Sequence, residues 1–190
     1  MAKIAIWCRH AADDLIGIGA DIPWHVPSDT DFFLAVVKDQ DVVMGRKTYE
    51  SLPGKTLPDS SIWLLTGNKQ FEVTDKKQHQ VVTNIRMFKD FDGDLYIAGG
   101  AAVYEAFLTG APKLMPDIIV DCVYNGAVKS GVKGERICIT PCVEIMKKKY
   151  FKITEDYEQD GVSAALWVKC GDFVDQAVLR SLKTLLEERK

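Results

Sequence analysis

The sequence lacks the features that would remove it from the class of ordinary globular chains. No apolar run approaches the roughly 20 residues of a membrane span. Neither charge sign dominates: 24 Lys+Arg stand against 27 Asp+Glu in 190 residues, so bulk charge gives no support to nucleic-acid binding. The opening Met1-Ala2-Lys3-Ile4-Ala5-Ile6-Trp7-Cys8-Arg9-His10 is broken by charge too early to read as a signal peptide. There is no internal repeat and no low-complexity linker. There is no Cys-x-x-Cys either. The cysteines are Cys8, Cys122, Cys138, Cys142 and Cys170, an odd number, and no histidine stands near the Cys138–Cys142 pair. That argues against a disulfide framework and against zinc, and for reduced thiols in a cytoplasmic protein.

What is present is a chain 47% hydrophobic and 27% charged, long enough for one domain with an appendage. Short apolar runs alternate with segments of helical spacing. Strands are expected over Lys3 to Cys8, Asp41 to Met44, Ser61 to Leu65, Gln80 to Thr83, Leu95 to Ala98 and Asp117 to Val123. Helices are expected over Asp29 to Lys38 with Ser28 as N-cap, Arg46 to Leu52, and Ala101 to Leu108. Such alternation predicts a mostly parallel sheet covered on both faces. Phe151 to Glu158 and Val162 to Val168, around Asp160-Gly161, predict an antiparallel hairpin at its edge. Lys147-Lys148-Lys149 reads as a solvated charge run before it. Residues 1–171 are expected to form the domain, and 172–190 an amphipathic helical extension. Its apolar positions are Val174, Val178, Leu182, Leu185 and Leu186; Asp172 and Asp175 lie early, Arg189 and Lys190 late, as the helix dipole favours.

Four segments carry chemistry. In Leu15-Ile16-Gly17 and Ile22-Pro23-Trp24-His25-Val26-Pro27-Ser28-Asp29, a glycine loop leads to a carboxylate at a helix start. Asp29 there is either a helix-start charge or a pocket carboxylate whose two oxygens match the two N–H donors of an amidine-like edge. In Met44-Gly45-Arg46-Lys47-Thr48-Tyr49-Glu50-Ser51, a strand ends in glycine and a helix begins with two cations, either solvated or set for phosphate. In Trp63-Leu64-Leu65-Thr66-Gly67-Asn68-Lys69, a strand delivers small polar residues at its C-terminal end, where open α/β sheets bind ligands. In Ile97-Ala98-Gly99-Gly100-Ala101-Ala102-Val103-Tyr104, paired glycines join strand to helix: an ordinary tight turn, or a close approach of backbone to a ligand.

In this order and spacing the four segments resemble dihydrofolate reductase over roughly residues 3 to 170. The resemblance implies a single-domain α/β fold: an eight-stranded, mostly parallel sheet flanked by helices, with an antiparallel C-terminal strand. It implies NADPH as cofactor, held by Ile16, Gly17, Gly45, Arg46, Lys47, Thr48, Thr66, Gly99, Gly100, Ala101, Val103 and Tyr104, with Lys69 nearby. It implies a small-molecule substrate, dihydrofolate or a related pterin, lined by Trp7, Ile22, Asp29, Thr30, Phe33, Leu52, Leu57 and Asp121. Asp29 would be the active-site carboxylate, Trp24 would help hold a proton-bearing water, and Ile16 to Trp24 would form a lid. The chain would act as a monomer or small homo-oligomer, apart from nucleic acid and membrane. A related reductase acting on another pterin or a pyrimidine, or a non-catalytic NADPH-binding descendant, are the alternatives.

Three positions depart from the family's pattern. Leu57-Pro58-Asp59-Ser60 places Ser60 where the family has an arginine that grips the substrate's glutamate tail. Asp121 falls where a threonine usually meets the carboxylate; it pairs with Asp29, or a one-residue change of register puts Cys122 in the pocket instead. Trp7-Cys8-Arg9-His10 replaces small apolar residues in the first strand.

Overall fold

The computed structural model describes residues 1–171 and 173–189. Asp172 and Lys190, read above as part of the final helix, lie outside the described residues. The elements run β1 (Lys3–His10), β2 (Leu15–Ile18), α1 (Pro27–Val37), β3 (Asp41–Gly45), α2 (Arg46–Ser51), β4 (Ser61–Leu65), β5 (His79–Val82), β6 (Leu95–Ile97) and α3 (Ala101–Leu108). Then follow β7 (Ile118–Tyr124), β8 (Arg136–Cys138), α4 (Thr140–Lys149), β9 (Tyr150–Lys152), β10 (Tyr157–Gln159), β11 (Val162–Lys169) and α5 (Gln176–Glu187).

Eight strands lie side by side in the order β10-β11-β7-β1-β6-β3-β4-β5, and β9 also pairs with β11. From β7 to β5 the pairing is parallel, and β11 turns antiparallel against β7. The period of two along each strand sorts the core into layers. Ile4, Ile6, Val42, Met44, Ile62, Leu64, Ile118 and Val120 face the side of α1 and α5. Ala5, Trp7, Val43, Leu95, Ile97 and Ile119 face α3 and α4.

Local chemistry explains the boundaries that differ from expectation. The first helix starts at Pro27 after Val26, so Ser28 is not its N-cap; its hydroxyl is buried without a partner. Proline has no N–H to satisfy and its φ suits the first helical position, which draws the start forward. The expected strand over Phe151 to Glu158 is split into β9 and β10, because the Leu166 N–H is taken by the Thr154 hydroxyl at 3.0 Å. Asp160 and Gly161, with φ of 51° and 78°, make the expected turn. The β2–β8 ribbon and α4 are additions. Helix α4 buries Cys142, Val143 and Met146, and its last turn carries the three exposed lysines Lys147, Lys148 and Lys149.

Helix α5 is shorter than expected and is capped by Asp175, whose carboxylate accepts from the Ala177 N–H at 2.9 Å. Its buried Leu182 and Leu186, with the partly buried Val178, Leu179 and Leu185, pack in the α1 layer. The helix docks on α1 and β11. Leu186→Ala is expected to lower unfolding free energy by about 2–5 kcal/mol, the range for a large-to-small core change. Urea denaturation measures it, and a loss below about 1 kcal/mol would mean that α5 does not dock in solution.

Candidate active site

The C-terminal ends of β3 and β6 meet at two glycine turns. The Gly45 N–H donates to the Gly99 carbonyl at 2.7 Å. A Cβ on Gly45 would stand 3.1 Å from Val103, and one on Gly100 would stand 3.2 Å from the Thr48 hydroxyl. At Gly99, φ is +96° and a Cβ would lie 2.9 Å from the Tyr104 hydroxyl. That hydroxyl is fixed because it donates to the Ile6 carbonyl at 2.6 Å. Side chains are therefore excluded from the seam where α2 and α3 begin, and backbone is left open to a ligand. Gly45, Thr48, Gly99, Gly100, Val103 and Tyr104 form one cluster, with Ala101 opening α3 beside it.

Arg46 and Lys47 are exposed at the mouth of this seam, where Arg46 reaches Glu50 at 3.4 Å. Lys47 lines a cleft of about 340 Å³ between α2 and the β2–β8 ribbon, with Gly19, Ala20, Glu50, Ser51, Glu135 and Ile137. Gly17 lies in β2, where a Cβ would press on the Asp21 carbonyl at 3.2 Å; Ile16 packs toward the α3 and α4 layer. Thr66 ends β4, and its hydroxyl accepts from the Asn68 N–H at 3.2 Å. The loop from Gly19 is tied down, since Gly19 donates to Glu135 and Lys129 donates to the Pro23 carbonyl at 2.8 Å.

Asp29 stands in the first turn of α1, turned toward the sheet, its side chain only 17% exposed. Three groups from other elements face it: the Cys8 thiol of β1, the Cys122 thiol of β7, and the Arg189 guanidinium beyond α5. Burial pushes the Asp29 carboxyl above the usual carboxylate range, against the pull of Cys8, Arg189 and Cys122. Burial and the nearby Asp29 raise both thiols, so they stay protonated and present S–H groups to the carboxylate. Phe33 and Leu52 are half-buried in the same layer. Trp24 is buried and stacks on Tyr124 at 5.1 Å.

The remaining substrate-side expectations separate. Ile22 is 62% exposed and Thr30 is exposed, whereas Leu57 is sunk in the core. Asp121 does not pair with Asp29, and Trp7 does not line its pocket. In the β1–β7 register Trp7 stands opposite Asp121 and Cys8 opposite Cys122, so the first pair points to the α3 and α4 face and the second to Asp29. On its own face Asp121 accepts from Trp7 Nε1 at 2.6 Å, Arg9 Nε at 2.9 Å and Arg9 Nη2 at 3.0 Å. Arg9 Nη1 continues to Asp14 at 2.8 Å. Ser60 is buried as well, its hydroxyl donating to the Val37 carbonyl at 2.8 Å. It closes a turn whose preceding residue, Asp59, has φ of 58°, and it offers nothing to a substrate tail.

A mostly parallel sheet with a side-chain-free seam at its carboxyl edge, and the part-buried Asp29 carboxylate facing the Cys8 and Cys122 thiols of β1 and β7, defines an α/β enzyme of the nucleotide-binding class. A dihydrofolate reductase family profile matches residues 3–128. The dihydrofolate reductase of Enterococcus faecium is 32% identical over 125 residues, 65% of this chain and 74% of that one. That of Mycoplasma genitalium is 33% identical over 122 residues, 61% and 75% of the two chains. A solved structure of the Enterococcus faecalis enzyme, complexed with NADP(H) and RAB-propyl, superposes with a TM-score of 0.72 at 19% identity, covering 89% of this chain and 96% of that one. The chain belongs to the dihydrofolate reductase family.

Two outcomes test the site's electrostatics. Asp121→Ala takes from the buried Arg9 the partner of its Nε and Nη2, leaving it Asp14, and is expected to cost about 3 kcal/mol of stability, read by denaturant unfolding. A cost below about 1 kcal/mol would contradict the buried fork. Asp29 behaves differently with pH. Its folded pKa is raised, so the folded state holds the proton more tightly and this contribution to stability fades as pH rises through the folded value. From about pH 4, where the unfolded carboxyl titrates, stability should therefore fall with rising pH more steeply in the native chain than in Asp29→Asn. Parallel slopes would contradict the burial of Asp29.

Proposed function

We propose that the protein reduces 7,8-dihydrofolate to tetrahydrofolate with NADPH, with Asp29 as the substrate's anchor. The observation that carries this reading is the part-buried Asp29 carboxylate on α1, in a fold that also holds the side-chain-free seam of Gly45, Gly99 and Gly100.

The seam fits the cofactor, because its glycines leave backbone where any Cβ would meet Val103, Thr48 or Tyr104. Gly45, Thr48, Gly100 and Ala101 would hold NADPH there, with Arg46, Lys47 and Thr66 toward its phosphates and Ile16 and Gly17 along the facing ribbon. NADPH when bound supplies the hydride. The protein's part is orientation and polarity. The carboxylate of Asp29 accepts from the 2-amino and ring N–H donors of a pterin and fixes its plane. The protonated Cys8 and Cys122 thiols, as weak S–H donors, keep the carboxylate turned to that task. Trp24, buried and stacked on Tyr124, would help hold the water that brings the proton.

Five free cysteines support a reducing, cytoplasmic setting, and among the described residues no helix is long and apolar enough to cross a membrane. A second reading rests on Ser60. With that side chain bonded inward, a pterin with a short or uncharged tail suits the chain as well as dihydrofolate does.

Asp29→Asn is expected to lower kcat/KM for dihydrofolate on the order of 10²-fold or more, a typical size for a positioned acid–base group. NADPH affinity, measured by fluorescence titration, should stay within about threefold, since Asp29 lies off the glycine seam. Full activity of the variant would remove Asp29 from the site.

A further inference from the structure

Helix α5 delivers a cation to the active-site carboxylate. The stripe Leu182, Leu186 runs on at helical spacing into Arg189, whose side chain is only 2% exposed. Its guanidinium lies over the Phe32 ring at 4.4 Å from the centroid. Its Nη1 stands 3.5 Å from Asp29 Oδ1. That approach is a charge contact without a hydrogen bond: Nε, Nη1 and Nη2 are all buried, and none has a hydrogen-bond partner among the described residues. Arg189 lies outside residues 3–128, where the family profile matches.

Two facts about this cation bear on what binds. A buried guanidinium with all three donor nitrogens idle is costly to leave unmet, so it favours a ligand that brings acceptor atoms. A positive charge beside Asp29 also brings the subsite close to neutrality. A charge that near acts strongly even at an effective dielectric constant of about 20. A ligand that pairs with Asp29 as a cation gains the carboxylate's attraction and suffers the repulsion of Arg189. A neutral ring donating the same N–H edge escapes the repulsion and can accept from the idle donors.

We propose that Arg189 is a specificity-determining residue of the substrate subsite: through its contact with Asp29 it selects neutral 2-amino-oxo rings, which bring acceptors, over protonated diaminopyrimidine-type rings. The proposal rests on the reading of Asp29 as the substrate anchor.

The test compares two probes on the intact protein by isothermal titration calorimetry: 7,8-dihydrofolate, neutral at the ring, and a 2,4-diaminopyrimidine that binds carboxylates as its conjugate acid. Arg189→Gln keeps a planar amide with N–H donors and removes the charge, and Arg189→Lys keeps the charge. The quantity read is the change in the ratio of the two affinities, which cancels the rest of each ligand. Arg189→Gln is expected to shift that ratio toward the diaminopyrimidine by roughly tenfold or more, as removal of a neighbouring like charge does. Arg189→Lys should leave the ratio near that of the native chain. Equal tightening of both probes in Arg189→Gln would overturn the proposal, because it would make Arg189 a mere occupant of the subsite. An unchanged ratio with a lowered melting temperature would overturn it too, by reducing Arg189 to a packing residue. If neither probe binds the native chain or the variants while NADPH still does, the failure lies with Asp29 as anchor and not with Arg189 alone.

Discussion

The parallel pairing of β1 with β7 is the constraint on which the site depends. Side chains alternate along both strands, and the register sets Trp7 against Asp121 and Cys8 against Cys122. One residue of slip would exchange the two faces. Asp121 would then lose Arg9 and Trp7 and meet Asp29, giving two close carboxylates that resist joint ionisation. The observed register keeps the two acids apart, one on each face of the sheet. It places two neutral thiols, rather than a second charge, beside Asp29.

The sheet and the glycine turns were legible because their causes are local. A strand running into Gly45, or into Gly99-Gly100, followed by helical spacing, has one compact solution in an α/β sheet. The Asp160-Gly161 hairpin was legible for the same reason, since both residues tolerate positive φ. Side-chain direction in β7 was not. A run such as Ile118-Ile119-Val120-Asp121-Cys122 is apolar on both faces, so periodicity does not say which face holds the acid. The partner that decides it, Arg9, lies 112 residues away in sequence. The structural use of Ser60 was hidden for a related reason. Its place in a motif suggested a lost ligand contact, while its hydroxyl serves the end of α1 through Val37.

Arg189 was hidden by a sound local argument. A cation past the end of a helix suits the helix dipole, and exposure is the ordinary state of such a residue. Continuing the apolar stripe of α5 by three residues from Leu186 would have placed it on the buried face. What the sequence could not supply was the docking of α5 on α1, which turns that face toward Asp29.

Among the described residues, two aspartates meet a buried arginine, and the difference between the pairs separates structure from function. Asp121 receives three hydrogen bonds between 2.6 and 3.0 Å, and every arm of Arg9 is engaged. Such a pair is closed: it orders β1 against β7 and leaves nothing for a ligand. Asp29 and Arg189 touch only at 3.5 Å, and among the described residues the guanidinium keeps all three nitrogens free of hydrogen bonds. Buried polar groups are ordinarily satisfied, and those that are not mark places where a partner is still to come. The carboxylate offers acceptors and the guanidinium offers donors, side by side between Phe32 and the strands. A planar heterocycle whose edge alternates donors and acceptors is the complement of that pair, and a fully protonated one is not.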